Sequence, residues 1–247
     1  VMAEISAFLF FTLYTLLKLP LKQYALFSFH KIEGWLMGTI LKTALPTMLQ
    51  KLLSFGTWFI FFILVEHMGE RPIAIPIVVR SVYMLIVIPV FGFGATANTL
   101  TSRLIGEQRQ KEVMPMLTKV IRLSMLSVLP ILAICYLFPQ QVLSIYSDSS
   151  ELIQASVNSL YVVGLAALAL CFGITFFEAI SGTGNTSHAL ILETFVLILY
   201  TAQIWFLASV LQTSVESVWT VEVTYGLCIG FISLLYMKHF RWQKHKL

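Results

Sequence analysis

Residues 176–200 read "FFEAISGTGNTSHALILETFVLILY". Two apolar runs flank a seven-residue turn built on Gly182 and Gly184, and each run carries one glutamate, Glu178 and Glu193. Glycine admits the left-handed conformation that ends a helix, and Asn185, Thr186 or Ser187 supplies the side-chain oxygen that starts the next. The stretch therefore predicts two helices joined by a tight turn. Both are apolar enough to sit in hydrocarbon.

The rest of the chain has the same character. It is 58% hydrophobic and 11% charged, with a mean hydropathy of +0.85. A soluble domain carries about a quarter charged residues, and a core of this size hides less apolar surface than the chain presents. The fold class is an all-α integral membrane protein. A spanning helix needs roughly 20 apolar residues, and seven stretches are expected to supply one: 2–17, 44–66, 72–102, 114–138, 152–179, 187–210 and 215–237. The first opens on Val1 without a basic flank or cleavage site, so it does not read as a signal peptide. The chain is expected to lack an N-terminal part.

The net charge of +4 is a topology signal rather than a nucleic-acid footprint. Lys18, Lys22, Lys31 and Lys42 precede the second helix. Arg103, Arg109, Lys111, Lys119 and Arg122 surround the next connection on that side. Lys238, Arg241, Lys244 and Lys246 close the chain. The connections 139–151 and 211–216 hold no Lys or Arg. Basic residues favour the cytoplasmic side, which places the C-terminus there, in a plasma (bacterial inner) membrane. Four segments are expected: 1–17 as a preceding helix, 18–43 as an interfacial or cytoplasmic linker, 44–237 as a six-helix bundle and 238–247 as a basic tail. Pro46 is expected in the first turn of the helix over 44–66, where proline is tolerated.

Residues 70–108 interrupt a hydrophobic run with Pro72, Pro76, Pro89, Gly92 and Gly94. Such interruptions survive in membranes where freed backbone groups meet protein or a cavity, and broken helices mark transporter sites. A simple kink or a close contact through small residues is the plainer alternative. Pro89, Gly92, Gly94, Gly182 and Gly184 are thus the helix-break or gating candidates. The GxG of 182–184 follows no strand and precedes no lysine, so it is not a phosphate loop.

Ionisable side chains inside spanning helices are costly and default to function. Glu66 is explained by a solvated helix end, and Glu178 lies one turn from the glycine break. Glu193 and Glu222 each lie about two turns into a helix with no basic neighbour a turn away. Tyr200 follows Glu193 by seven residues on one face, and Tyr225 follows Glu222 by three. A carboxylate and a tyrosine facing a bundle interior bind a cation, a proton or a cationic substrate, or else glue helices together. Lys51 and Arg80 are the positive partners, expected at the depths of Glu193 and Glu222 respectively. An unpaired carboxylate shielded from water is a group that loads and releases a proton.

Nothing in the sequence supports conventional catalysis: it holds no GxSxG, Walker A or HExxH pattern. The histidines and the cysteines Cys135, Cys171 and Cys228 have no metal-ligand spacing. No catalytic residue, metal or cofactor is expected.

The stretches "LKTALPTMLQ" (41–50), "PVFGFGATANTLTSRLIGEQ" (89–108) and "FFEAISGTGNTSHALI" (176–191) resemble the multidrug and toxic compound extrusion (MATE) family over most of 40–237. That resemblance implies the C-terminal lobe of a twelve-helix transporter, with the N-terminal six-helix bundle as its missing partner. It also implies a secondary antiporter, not an enzyme, that exports drugs and other small organic compounds, often cations, through the bilayer in exchange for H+ or Na+. In some sodium-coupled members a glutamate sits mid-way along the Leu-Pro helix, and that position falls here near Ser54. An acidic position on a later helix falls near Cys171 rather than at Glu178. Coupling is then expected at Glu193 or Glu222, or in the missing lobe. A lipid-linked oligosaccharide flippase of the same superfamily is the alternative, and a seven-helix receptor or structural subunit is the third reading.

Overall fold

The computed structural model describes residues 2–18, 33–67 and 70–239. The expected linker between 19 and 32 and the basic tail beyond 239 lie outside them. Residues Val1–Ile40 and Leu41–Leu247 form separate compact units. The first contains helix α1, Met2–Lys18, and the opening turns of α2, Gly34–Glu66. The second holds the remainder of α2 and everything after it. There follow α3 (Glu70–Gly106), a single 3-10 turn at Gln110–Glu112, α4 (Val113–Leu137), the short α5 (Pro139–Leu143) and α6 (Ser150–Gly182). The last elements are α7 (Thr186–Trp205), a π-helical turn at Phe206–Val210, and α8 (Val215–His239).

Six of the described helices are long and apolar enough to cross a membrane: α2, α3, α4, α6, α7 with its π turn, and α8. The 17-residue α1 is not among them, so six of the seven expected stretches form helices of spanning length. Large apolar side chains such as Leu126, Ile134, Phe195, Ile198, Phe231 and Leu235 point outward. In water such a surface would aggregate; against lipid it is the solvent-matched face. The protein is a multi-pass membrane protein.

In lipid, helices associate through close packing and polar contacts rather than hydrophobic burial. Helix α6 is the centre of the bundle, approached most closely by α3 on one side and α8 on the other. Small residues make both approaches. Ala169 and Gly173 of α6 face Gly226 and Gly230 of α8, one turn apart on each helix. A methyl group at Gly182 would lie 2.5 Å from the Asn98 carbonyl oxygen of α3. There Ser102 Oγ donates to the Gly182 carbonyl at 2.8 Å, tying the two backbones together. Helix α4 packs on α3 and α6, and α7 on α8. Helix α2 stands further off and is held through its side chains.

Three expectations about helix continuity change. Helix α2 begins at Gly34 rather than 44, so Pro46 lies in its interior and not its first turn. Proline there leaves the Lys42 carbonyl without its helical donor, and the neighbouring Thr43 carbonyl accepts from Thr186 Oγ1 of α7 at 3.0 Å. Helix α3 is continuous from Glu70 to Gly106 through Pro76 and Pro89, so Pro89, Gly92 and Gly94 do not break it. An interior proline leaves a single carbonyl unpaired, and the turns on either side still close. Gly94 is a close contact instead, because a methyl there would meet Ile174 at 2.6 Å, whereas Gly92 faces open space. In the 181–187 turn only Gly184 is left-handed, with φ 82°. Gly182 remains helical as a packing residue, and Asn185 is the N-cap of α7 without a side-chain capping bond.

The connection after α3 is a polar knot outside the spanning segments. Arg103 Nε reaches Glu107 at 2.7 Å, and Arg109 bonds Glu107 and Glu112 at 2.7 Å each. The two guanidinium groups hold the Glu107 carboxyl below its ordinary range. A carboxylate of this kind favours the folded state only above its unfolded titration range, and the preference is lost as pH falls through the lowered value. Because the pairs are exposed, Glu107→Ala is expected to shift the melting temperature by less than about 2 °C, consistent with the small worth of surface ion pairs. Thermal unfolding in detergent checks this.

Candidate functional site

One face of α2 presents Lys51, Ser54, Trp58 and Phe62 at helical spacing, and one face of α3 presents Arg80, Tyr83, Val87 and Phe91. Between them and α6, α7 and α8 lies a cavity of about 630 Å³, within the range of pockets that hold drug-sized ligands. Lys51, Arg80, Glu178, Glu193, Tyr200 and Glu222 all line it. The six candidates scattered over 170 residues of sequence thus share one chamber, whose wall is otherwise mostly apolar and aromatic.

The carboxylates sit in three different environments. Glu178 accepts from Lys51 Nζ at 3.3 Å and from Asn98 Nδ2 at 3.0 Å. Glu193 is 3% exposed. Its Oε1 accepts from Ser54 Oγ at 2.6 Å and from Tyr225 OH at 3.2 Å, and its Oε2 has no partner. Gln50 Oε1, on α2 one turn before Ser54, is likewise buried and unpartnered. Glu222 is 4% exposed, and both its oxygens are occupied. Tyr200 OH donates to Oε1 at 2.7 Å and Tyr83 OH to Oε2 at 2.9 Å.

The ion pairs that matching depth permitted, Lys51 with Glu193 and Arg80 with Glu222, do not form. Lys51 pairs with Glu178 rather than Glu193. Its side chain is half-exposed and that of Glu178 keeps 19% exposure, so the pair retains water, whereas joining Glu193 would require desolvating the ammonium. Arg80 does not pair with Glu222, whose oxygens two tyrosines already fill. Its guanidinium carbon lies 5.3 Å from the Trp58 ring centre and 5.2 Å from that of Phe62, within cation–π range. The tyrosines exchange partners as well. Tyr200, on the helix of Glu193, serves Glu222, and Tyr225, on the helix of Glu222, serves Glu193. Their rings meet edge to face at 5.8 Å, and this crossing sets both bonds between α7 and α8.

Sequence reasoning passed over Tyr83, Trp58, Phe62, Asn98 and Gln50. The 51–54–58–62 spacing beside an intramembrane lysine was a readable signal, as was 80–83–87–91 beside the arginine. Nothing local marks Gln50 or Asn98. Of the gating candidates, Gly94 and Gly182 lie at helix contacts, and neither they nor Pro89, Gly92 or Gly184 line the cavity. No cluster of three or more His, Cys, Asp or Glu side chains suited to a metal ion occurs among the described residues.

The chain matches a known family model, MatE, over residues 46–206, more than half of its length. The chain belongs to the MatE family. MATE proteins are secondary transporters rather than enzymes, so the resemblance read from the three motifs holds and the receptor reading is replaced. The chain is 25% identical over 167 residues to a probable multidrug resistance protein NorM from Thermotoga maritima, which covers 66% of this chain and 36% of that protein. Solved MATE structures share the fold. A MATE transporter in complex with MaL6 superposes with a TM-score of 0.77 at 19% identity, over 86% of this chain and 48% of the other. A MOP superfamily transporter from Pyrococcus furiosus, described as having a binding pocket of reverse polarity, superposes with a TM-score of 0.79 at 19% identity. That match covers 96% of this chain and 54% of the other. The chain spans about a third of the curated relative's length and about half of these structures.

Proposed function

We propose that this chain is the C-terminal half of a MATE-type antiporter that exports organic compounds, cations among them, and that Glu193 binds the coupling H+ or Na+. The N-terminal six-helix bundle of the same polypeptide would form the opposite wall, in a plasma membrane with the C-terminus cytoplasmic. One observation carries the reading: Glu193 is a buried carboxylate with no basic group bonded to it and an unpartnered oxygen, in the wall of a drug-sized cavity. A cation entering there supplies the charge that the protein withholds. Ser54, where some family members are expected to carry a carboxylate on the Leu-Pro helix, holds the Glu193 carboxylate by a hydrogen bond, so an acid from α7 stands where one from α2 would reach.

The full-length parent chain in everted vesicles tests this. A fluorescent organic cation should move when a proton or a sodium gradient is imposed, and the effective gradient names the ion. No flux with either would overturn the antiporter reading. Ser54→Ala removes one of two donors to Glu193 and is expected to shift the apparent affinity for the coupling ion by about tenfold, the size of one hydrogen bond to a charged group. A titration of flux against ion concentration in the same vesicles measures it. The flippase alternative calls for several free basic groups in the cavity. Lys51 is neutralised by Glu178, which counts against it.

A further inference from the structure

Five charged side chains line the cavity, and four have protein partners of complementary chemistry. Lys51 and Glu178 satisfy one another, two tyrosines serve Glu222, and Ser54 and Tyr225 serve Glu193. Arg80 is different. Among the described residues no carboxylate lies within ion-pairing distance of it, and no carbonyl or hydroxyl accepts from it; its contacts are the aromatic faces of Trp58 and Phe62. It is exposed and lines the cavity.

A guanidinium inside a spanning helix is costly unless it is used. Its planar fork matches a carboxylate, sulfonate or phosphate in two parallel bonds, which a lysine cannot reproduce. The surroundings add a second requirement. Trp58 stacks on Tyr83 at 13° with centroids 6.3 Å apart, and Tyr83 meets Trp219 edge to face at 5.9 Å. Those two rings are buried and back the wall, while Trp58 and Phe62 line the cavity beside the charge. A ligand that satisfies this corner carries an anionic group beside a flat apolar body.

We propose that Arg80 is a specificity-determining residue of the cavity, the one that binds an acidic group on the cargo when the cargo carries one. The inference rests on the cavity being the cargo site. In a zwitterion the basic centre would face the carboxylates while the acid reaches Arg80. Simple organic cations use the cavity without engaging Arg80.

Three probes of matched shape test this on the purified full-length chain in detergent, followed by quenching of tryptophan fluorescence: 2-naphthoate, 2-naphthalenemethanol and 2-naphthylmethylammonium. Wild type should bind the naphthoate about tenfold or more tighter than the alcohol, and Arg80→Gln should erase that difference, as expected when one side of a charged bidentate contact is removed. The same substitution should change the affinities for the alcohol and the ammonium by less than about twofold, because neither meets the fork. Arg80→Lys, which keeps the charge, should lose at least roughly threefold for the naphthoate. Wild type that binds naphthoate no tighter than the alcohol overturns the proposal, whatever the variants do. So does an Arg80→Gln protein that melts earlier without ligand yet binds all three probes as wild type does, because that places the arginine's partner in the other lobe. Should Arg80→Gln fail to fold, the lysine variant decides: undiminished naphthoate affinity overturns the proposal. Binding of none of the three probes would instead sink the cavity as the cargo site.

Discussion

Glu193→Gln is expected to lower gradient-driven export by about 100-fold or more, to the background of vesicles without the transporter, while leaving a folded protein. The substitution keeps shape and an acceptor oxygen, so Ser54 can still donate at the 2.6 Å position. What it removes is the negative charge. A neutral amide cannot bind and release a proton, and without the charge its oxygen holds Na+ far more weakly than a carboxylate, so coupling ends even if cargo still binds. The magnitude follows from removing an obligatory group rather than weakening a contact, since such losses reach the uncoupled floor instead of stopping at the roughly tenfold of one hydrogen bond. Cargo binding, measured separately, should survive within about threefold, because binding and coupling are distinct steps. Retained flux in Glu193→Gln would make this carboxylate a helix tie and move coupling to Glu178, Glu222 or the other lobe.

Glu222→Gln supplies the contrast. Both Glu222 oxygens accept from tyrosine hydroxyls, so one hydroxyl must turn to accept from the new amide nitrogen and its own proton loses its acceptor. The cost is one broken buried hydrogen bond, about 1–3 kcal/mol of stability, with export reduced but measurable. If the two variants behaved alike in both assays, the distinction between a working carboxylate and a structural one would fail.

Gly173→Leu is the second large effect, and it acts on folding. Even a methyl at this position would run into the Gly226 carbonyl oxygen of α8 and lie 2.9 Å from the Ile229 side chain. Both obstacles belong to a helix that approaches Gly173 backbone to backbone. Overpacking a core usually costs about 1–3 kcal/mol because side chains shift. Here a main chain must move, and with it the α6–α8 contact on which the bundle centres, so the cost should exceed about 3 kcal/mol. The expected result is loss of the monodisperse peak in fluorescence-detected gel filtration. Gly92→Leu is the control. It has nothing within 4 Å, and a change within about 0.5 kcal/mol is expected for an open surface position. Equal behaviour of the two would show that α6 and α8 do not depend on this contact.

The contact was half legible. "GLCIG" at 226–230 carries glycines one turn apart, a spacing that marks close helix approach in membranes, and "ALCFG" at 169–173 is its counterpart. The spacing shows that a helix has a flat stripe. It does not show which other helix lies on that stripe. The same holds for 92–94: the glycines were visible, but only the position of Ile174 distinguishes Gly94, which is in contact, from Gly92, which is not.

The class of protein, the positions of the six long helices to within a few residues outside the start of α2, the glycine turn at 181–187 and the family were all determined by sequence. Hydropathy, helical period and turn chemistry are properties of neighbouring residues, and neighbours are what a sequence lists. The start of α2 escaped because its opening turns mix polar and apolar residues, and Pro46 imitates an N-terminal signal. The pairing of the ionisable groups was decided only by the tertiary structure. Lys51 meets a carboxylate 127 residues away, Ser54 one 139 away, and the two tyrosines each bond across to the neighbouring helix. Depth in the membrane follows from counting residues along each helix. Which faces meet depends on how the helices rotate and cross, and in this bundle small residues on α3, α6 and α8 set those crossings through backbone contact.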